Sequence, residues 1–249
     1  MMTWLVLPIA FCCEFVDQYL GMGFGTILAP VLLLMGFKPM EVVPIILLEE
    51  VISGMTGVFF HHRNGNCDMS PSQRPFKIAT RITIFTVVGT VAGVVAFINI
   101  AQSALTGLIA VIVLAMGVII LWNRKNQFEY SKARIYTVST IASFNKGISG
   151  GGYGPLMMGG NILSGVKTKE AIAIVCFAEA VCCALGFTLY AFSKSIVWTL
   201  APYILVGGFL AVPVGARLVR QTDETKLKTM AGVMILILGT ILLFKTLLK

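Results

Sequence analysis

Long apolar stretches, separated by short polar segments, make up most of the chain. Four of them run for about 20 residues each, at 78–98, 104–122, 196–214 and 230–248. A helix needs about 20 apolar residues to cross a hydrocarbon core of about 30 Å. The stretches are continuously apolar and do not alternate with polar residues, which favours helices over the strands of a barrel. The pattern therefore predicts an all-α integral membrane protein.

The apolar segments fall into two series of five. The first series is 3–21, 24–36, 41–61, 75–98 and 103–123, and the second is 131–149, 153–165, 168–192, 196–219 and 227–248. The second segment of each series has about 13 residues, which as a helix is roughly 20 Å long and too short to span a bilayer. We predict that these short helices are re-entrant, or halves of a broken span, and meet near the membrane midplane.

The two series are related in sequence. A shift of 129 positions, from 21 to 150, aligns two glycine clusters and two acids: Gly21, Gly23, Phe24, Gly25 and Glu50 fall on Gly150, Gly152, Tyr153, Gly154 and Glu179. Self-similarity of this kind indicates a duplicated structural unit. We divide the chain into a first transmembrane repeat, 1–125, and a second, 126–249, which together form one transport domain.

The distribution of lysine and arginine indicates that the second repeat is inverted. With an odd number of segments in each repeat, one side of the membrane collects most of the loop cations, as the positive-inside rule requires. That side holds Arg63, Arg74, Lys77, Arg124, Lys125, Lys132, Arg134, Lys167, Lys169, Arg217, Arg220, Lys226 and Lys228. The other side holds Lys38, Lys194, Lys245 and Lys249. We therefore predict inverted-topology repeats in the cytoplasmic (inner) membrane, with both termini outside.

The composition agrees with a membrane protein and argues against a nucleic-acid partner, a metal or another cofactor. Hydrophobic residues make up 57% and charged residues 12%, and the mean hydropathy is +0.89; soluble domains carry about 25% charged residues. The net charge of +8 reports on loop topology, so we expect no nucleic-acid partner. The spacing of the six cysteines is not that of a metal site, and we interpret them as small residues that pack between helices. We therefore expect no metal or other cofactor. The expected partners are the lipid bilayer and a small anion, and a homodimer is one option.

The glycine clusters predict an anion-binding site. A helix that begins inside the membrane presents about four unpaired N–H groups and a partial positive charge at its start. Two such starts brought together would bind an oxyanion, and glycine lets the ligand approach the backbone. Lys146, one turn before the second cluster, would add a full positive charge. The competing interpretation is that the glycines allow close helix packing. The candidate substrate-binding residues are Gly21, Gly23, Phe24, Gly25, Asn145, Lys146, Gly150, Gly151, Gly152, Tyr153 and Gly154.

Acidic residues inside the apolar stretches are candidates for proton coupling. Such residues are costly in a bilayer and usually mark a substrate or proton path, and desolvation favours the protonated carboxyl. The candidates are Glu50, Glu179, Asp17 and Glu49. The matching positions of Glu50 and Glu179 predict that these two approach each other. Two alternatives stay open: Glu50 and Glu179 could cap backbone groups of the short helices, and Asp17 could neutralise Lys146.

The duplicated motif resembles a known family. The stretch "FNKGISGGGYGPLMMGGNILSGVKTKEAIAIVCFAEA", 144–180, with a weaker echo at 15–51, is similar to the sulfite exporter TauE/SafE family, also called toluene sulfonate uptake permeases. The resemblance implies a secondary transporter of sulfite, sulfonates or related small oxyanions. The first copy departs from the pattern, because Asp17 stands in place of Lys146 and Thr26 in place of Pro155, so the site is expected to be asymmetric.

Other functions compete with anion transport. A cation or metal carrier could use Glu14, Asp17, Glu49 and Glu50, although paired helix starts repel cations. A non-transporting membrane adaptor is a further alternative. The charged residues inside the apolar stretches argue against it, because such residues usually mark a substrate or proton path. An intramembrane enzyme has little to build on, because the chain has only two histidines and no His–Glu pair on a helix, so we expect no catalytic residues.

Overall fold

The computed structural model describes residues 3–96, 102–149, 153–193 and 196–247. Within these ranges every regular element is a helix, which confirms the predicted fold class. Short 3₁₀ turns at Thr3–Leu5 and Trp198–Leu200 precede the first and the ninth helix. The helices are α1 (Val6–Leu20), α2 (Phe24–Leu34), α3 (Pro39–Arg63), α4 (Arg74–Ala96), α5 (Gln102–Trp122), α6 (Lys132–Ser149), α7 (Tyr153–Leu163), α8 (Thr168–Ser193), α9 (Ala201–Gln221) and α10 (Glu224–Leu247).

Six of the described segments are long and apolar enough to cross a membrane. They are Thr3–Leu20, Glu41–Arg63, Arg74–Ala92, Thr168–Phe192, Trp198–Gln221 and Glu224–Phe244. The surface agrees with a lipid environment, because large apolar side chains such as Ile84, Phe209 and Phe244 are at least half exposed. The chain is therefore a multi-pass membrane protein.

Within the described residues, ten α-helices correspond one for one to the ten predicted segments. The two short helices, α2 and α7, have 11 residues each, or roughly 16 Å, and neither can span a bilayer alone. Their surroundings differ. Nearly every residue of α7 is buried, whereas α2 ends at the surface, where Leu34 is 88% exposed. The structure thus shows an asymmetry between the two short helices.

The helices pack in pairs that join the two halves of the chain. Helix α1 packs against α9, α4 against α6, α3 against α8, and α5 against α10. If the first five helices are exchanged with the last five, the pair α1–α9 becomes α6–α4, and the pairs α3–α8 and α5–α10 map onto themselves. Two halves related by a two-fold axis would pack in this way. The inverted orientation in the membrane and the division at residue 125 stay predictions.

Candidate functional site

The starts of the two short helices meet inside the molecule. A methyl group on Gly154, in the first turn of α7, would lie 3.1 Å from the Cα atom of Met22, just before α2. The chain turns sharply between α1 and α2 because Gly21 and Gly23 have φ angles of 74° and 130°, which residues with a side chain rarely adopt. The glycine cluster therefore allows both the turn and the close approach. Gly150, Gly151 and Gly152 lie outside the described residues.

A small polar cavity lies at these helix starts. The centre of a water molecule can occupy about 10 Å³ of it, which is room for about one water. A methyl group on Gly25 would lie 2.7 Å from Glu50 Oε1, so only glycine leaves this carboxylate its place beside the start of α2. The described residues that line the cavity are Asp17, Gly23, Phe24, Gly25, Thr26, Glu50, Lys146, Tyr153, Gly154 and Glu179.

Lys146 occupies the middle of this site. Its Nζ atom lies 2.9 Å from Glu179 Oε1, 3.5 Å from Glu50 Oε2 and 3.1 Å from Cys183 Sγ. The side chains of Lys146, Glu50 and Glu179 are only 9%, 10% and 12% exposed. The ammonium is also 5.0 Å from the ring centroid of Tyr153, a distance at which a cation and an aromatic face attract each other. One cation therefore links α3 of the first half with α6 and α8 of the second.

Asp17 holds the start of α2. Its Oδ1 atom accepts a hydrogen bond of 3.1 Å from the backbone N–H of Phe24. Gly25 and Thr26 also line the cavity, and in the part of the chain that the structure describes their backbone N–H groups have no intramolecular acceptor. The start of α2 therefore combines one capped donor with two free donors. A small oxyanion is the kind of ligand that such a helix start binds.

The structure brings together most of the predicted site residues. Glu50 and Glu179 approach each other as predicted, since a carboxylate oxygen of each and the Cys183 sulfur lie within 4.8 Å of one another. The candidates that line the cavity are Gly23, Phe24, Gly25, Lys146, Tyr153, Gly154, Asp17, Glu50 and Glu179.

Three predicted residues lie elsewhere. Gly21 packs against Met158 and Ile172, and Asn145 is buried without lining the cavity. Glu49 points to another face of α3, because neighbouring residues on a helix point about 100° apart. The sequence left open whether Asp17 pairs with Lys146. Among the described residues, Lys146 instead pairs with Glu179 and Glu50. Asp17 caps the start of α2.

Glu49 belongs to a second buried polar group with Glu14. Both residues are at most 1% exposed. Glu14 Oε1 accepts a 2.8 Å hydrogen bond from Gln18, and Glu49 Oε2 accepts one of 3.3 Å from Ser53. Among the described residues, no cation pairs with either acid. Glu14 and Glu49 therefore form a buried acidic group whose hydrogen-bond partners, Gln18 and Ser53, are uncharged.

Sequence reasoning missed several residues at the site. Cys183 contacts both Lys146 and Glu50, and its sulfur donates to Glu50 Oε2 at 2.9 Å. Its position four residues after Glu179 placed it on the same helix face, a signal that was available. Thr86 was not foreseeable in this way, because its hydroxyl meets the Tyr153 hydroxyl at 3.2 Å only through the packing of α4.

Comparison with known proteins agrees with this architecture. Residues 6–242 match the family model described as sulfite exporter TauE/SafE. A curated relative is the "Probable membrane transporter protein YtnM" of Bacillus subtilis (strain 168). It is 21% identical over 239 residues, which cover 91% of this chain and 77% of the relative. No solved structure is significantly similar to the chain.

Proposed function

The chain belongs to the sulfite exporter TauE/SafE family, and we propose that it carries small sulfur-containing oxyanions, such as sulfite or a small sulfonate, across the cytoplasmic membrane together with protons. The observation that supports this proposal most directly is the position of Lys146. A buried ammonium, held by two carboxylates from different halves of the chain, lies beside the starts of two short helices. A lysine in this setting can exchange its carboxylate partners for the oxygens of an anion.

Charge balance links the anion to protons. Three carboxyl groups and one ammonium group line the cavity, so full ionisation would leave two uncompensated negative charges, which repel an anion. If Glu50 and Glu179 each bind a proton, the charges that remain in the cavity wall are those of Asp17 and Lys146, and their sum is zero. The starts of α2 and α7, each equivalent to roughly +0.5 charge, then make the site positive. Anion and protons therefore bind together, which makes the proposed transport a cotransport.

Protonation would also make room. The cavity holds about one water while Glu50 and Glu179 are drawn onto Lys146. A protonated carboxyl loses its charge attraction to the ammonium, and its side chain is free to withdraw. The vacated positions around Nζ are those an oxyanion needs, and Gly25 and Thr26, whose N–H groups have no acceptor among the described residues, line the same cavity. Alternating access would then expose this occupied site to one side of the membrane at a time.

One observation favours a cation carrier as a second candidate. Carboxylate oxygens of Glu50 and Glu179 and the sulfur of Cys183 lie close enough together to hold a metal ion. However, Lys146 Nζ is within 3.5 Å of all three groups, so the ammonium already occupies the position of such an ion. A metal would have to displace the lysine, and we therefore rank anion transport first.

Flux measurements on the full chain in proteoliposomes test the proposal. Methanesulfonate is a suitable substrate because its charge stays constant near neutral pH, so any proton movement belongs to the protein. We expect an inward methanesulfonate gradient to acidify the vesicle interior, and sulfite to compete with this uptake. Lys146→Gln should abolish uptake. Lys132→Gln, on the exposed start of the same helix, should retain it.

The possible outcomes separate the competing functions. Uptake of anions no faster than in protein-free vesicles, from folded protein and under any gradient, would refute anion transport and favour an adaptor. Uptake of a divalent metal that depends on Glu50 would favour the cation carrier. Anion uptake without proton movement would refute the coupling and leave the anion assignment standing.

A further inference from the structure

A second cavity lies at one end of the helices, away from the central site. It is formed by the residues after α5, the end of α7, and the starts of α8 and α10. The centre of a water molecule can occupy about 150 Å³ of it, compared with about 10 Å³ in the central cavity. This volume accommodates a polyatomic ion with its nearest waters. Four of its lining residues are cations and one is an acid: Arg124, Lys125, Lys167, Lys228 and Glu224.

Backbone groups hold two of these charged residues, Lys228 and Glu224, in place. Lys228 is 6% exposed, and its ammonium donates to the carbonyl oxygens of Asn123, at 3.0 Å, and of Asn126. These carbonyls follow the end of α5, where a cation is favourable. The Glu224 carboxylate accepts a hydrogen bond from the backbone N–H of Thr168, at the start of α8. Both side chains are therefore fixed in place by backbone groups.

The other three cations are available to a ligand. Arg124, Lys125 and Lys167 are exposed, and none of them forms an ion pair with an acid among the residues described. Two long helices, α8 and α10, begin at the same cavity and add the partial positive charge of their first turns. The positive-inside rule accounts for cations on this side of the membrane. It does not account for their convergence, with two helix starts, on one cavity.

We propose that this cavity binds a phosphate-type group, that is, a tetrahedral oxyanion carried by a lipid headgroup or free in solution. Four cations against one acid give a net charge of +3 on the wall, which suits a dianion. The guanidinium of Arg124 offers paired donors that match phosphate oxygens, and the lysines add point charges. Two helices that are long and apolar enough to cross a membrane begin at the cavity, at Thr168 and Glu224, and lipid phosphates lie beside the ends of such helices.

Binding to the purified full-length protein tests the site, with separate arms for the two sources. One arm titrates inorganic phosphate by calorimetry at constant ionic strength, and the other measures the thermal midpoint in phosphatidylcholine vesicles with and without phosphatidylglycerol. We expect saturable binding in at least one arm. The triple variant Arg124→Gln, Lys125→Gln, Lys167→Gln should weaken it tenfold or more.

A matched control variant separates the cavity from general charge effects. Lys77→Gln, Lys132→Gln and Arg220→Gln together remove the same charge from exposed positions on the same predicted side of the membrane, outside the cavity. This variant should bind like the original protein. Equal weakening in both triple variants, or no saturable binding in either arm, would overturn the proposal. Binding in the phospholipid arm alone would support it and identify the source as a lipid headgroup.

Amine labelling of the unmodified protein provides a test that does not depend on a variant that folds. Phosphate, or phosphatidylglycerol, should protect Lys125 and Lys167 from an acylating reagent, while Lys77 and Lys132 stay reactive. Equal labelling of all four lysines with and without the ligand would contradict the site. None of these measurements involves the transported substrate, so failure of the transport proposal would leave this one standing, and the reverse also holds.

Discussion

Replacing Glu179 by glutamine tests the link between protons and anion binding. Glutamine keeps the shape of the side chain and removes its charge and its proton. An anion held by Lys146 would lie about 4 Å from the Glu179 carboxylate, because that carboxylate is itself 2.9 Å from Nζ. Two like charges at this separation repel by about 4 kcal/mol at the effective dielectric constant of partly buried protein sites. This repulsion corresponds to roughly three decades in affinity.

The expected result is a change in the pH dependence of binding. If the anion binds only after Glu50 and Glu179 take up a proton each, its affinity should fall by up to about two decades per pH unit under alkaline conditions. Glu179→Gln should reduce that slope by about one decade per pH unit, since one proton is no longer required. At alkaline pH the variant should bind the anion more tightly than the original protein, by up to roughly three decades.

Isothermal titration calorimetry with methanesulfonate measures these slopes, over a range of roughly pH 6 to 9. Glu129→Gln is the matched control, because it makes the same chemical change at an exposed acid in the loop before α6. The reasoning is refuted if Glu179→Gln leaves the slope unchanged, or if the control alters it as much. In transport assays, the same variant should carry the anion with a weaker dependence on the proton gradient.

Three further predictions follow from single contacts. Lys146→Ala should weaken anion binding at least tenfold, and unchanged calorimetric binding would contradict the role given to this ammonium. Gly25→Ala would place a methyl group 2.7 Å from Glu50 Oε1 and should slow transport severely while the thermal midpoint changes little; normal flux would argue against a tightly built cavity wall. Burial raises the pKa of the Cys67 thiol, in the loop after α3, to about 12, so it should stay protonated and resist maleimide near neutral pH in the folded protein, and react only after unfolding in denaturant. Equal labelling of Cys67 before and after unfolding, measured by mass spectrometry of its peptide, would contradict this.

The periodic part of the fold was predictable from the sequence. Continuous apolar stretches determine the number of helices, and the glycine clusters mark the points where α2 and α7 begin. The meeting of Glu50 and Glu179 was predicted from their matching positions under the 129-residue shift, on the expectation that two copies of one unit are related by a two-fold axis. These features depend on local composition and on the duplication, which a single sequence displays.

The partners of individual charges were not predictable. Equivalence of positions suggested that Asp17 and Lys146 form a pair, but Asp17 has a backbone donor only seven residues away, at Phe24, and caps it. Lys146 instead reaches across to α3 and α8, where it finds Glu50 and Glu179. Adjacent acids on one helix also separate, so Glu49 faces away from the cavity that Glu50 lines. Such choices depend on helix rotation and on side-chain rotamers, which hydrophobic patterns do not specify.

The end of α7 that lies away from the central site contacts the segment between α5 and α6 and the start of α6. The carbonyl oxygen of Leu163 accepts a 2.8 Å hydrogen bond from Arg134, and that of Ser164 accepts one of 3.0 Å from the backbone of Ser131. A methyl group on Gly165 would lie 2.5 Å from the Phe128 carbonyl oxygen. The short helix is thus anchored to the segment that connects α5 with α6. If α7 tilts when a solute enters at Tyr153, that connecting segment must shift with it, and a fluorescent label on the segment would report events deep in the bilayer from the aqueous surface.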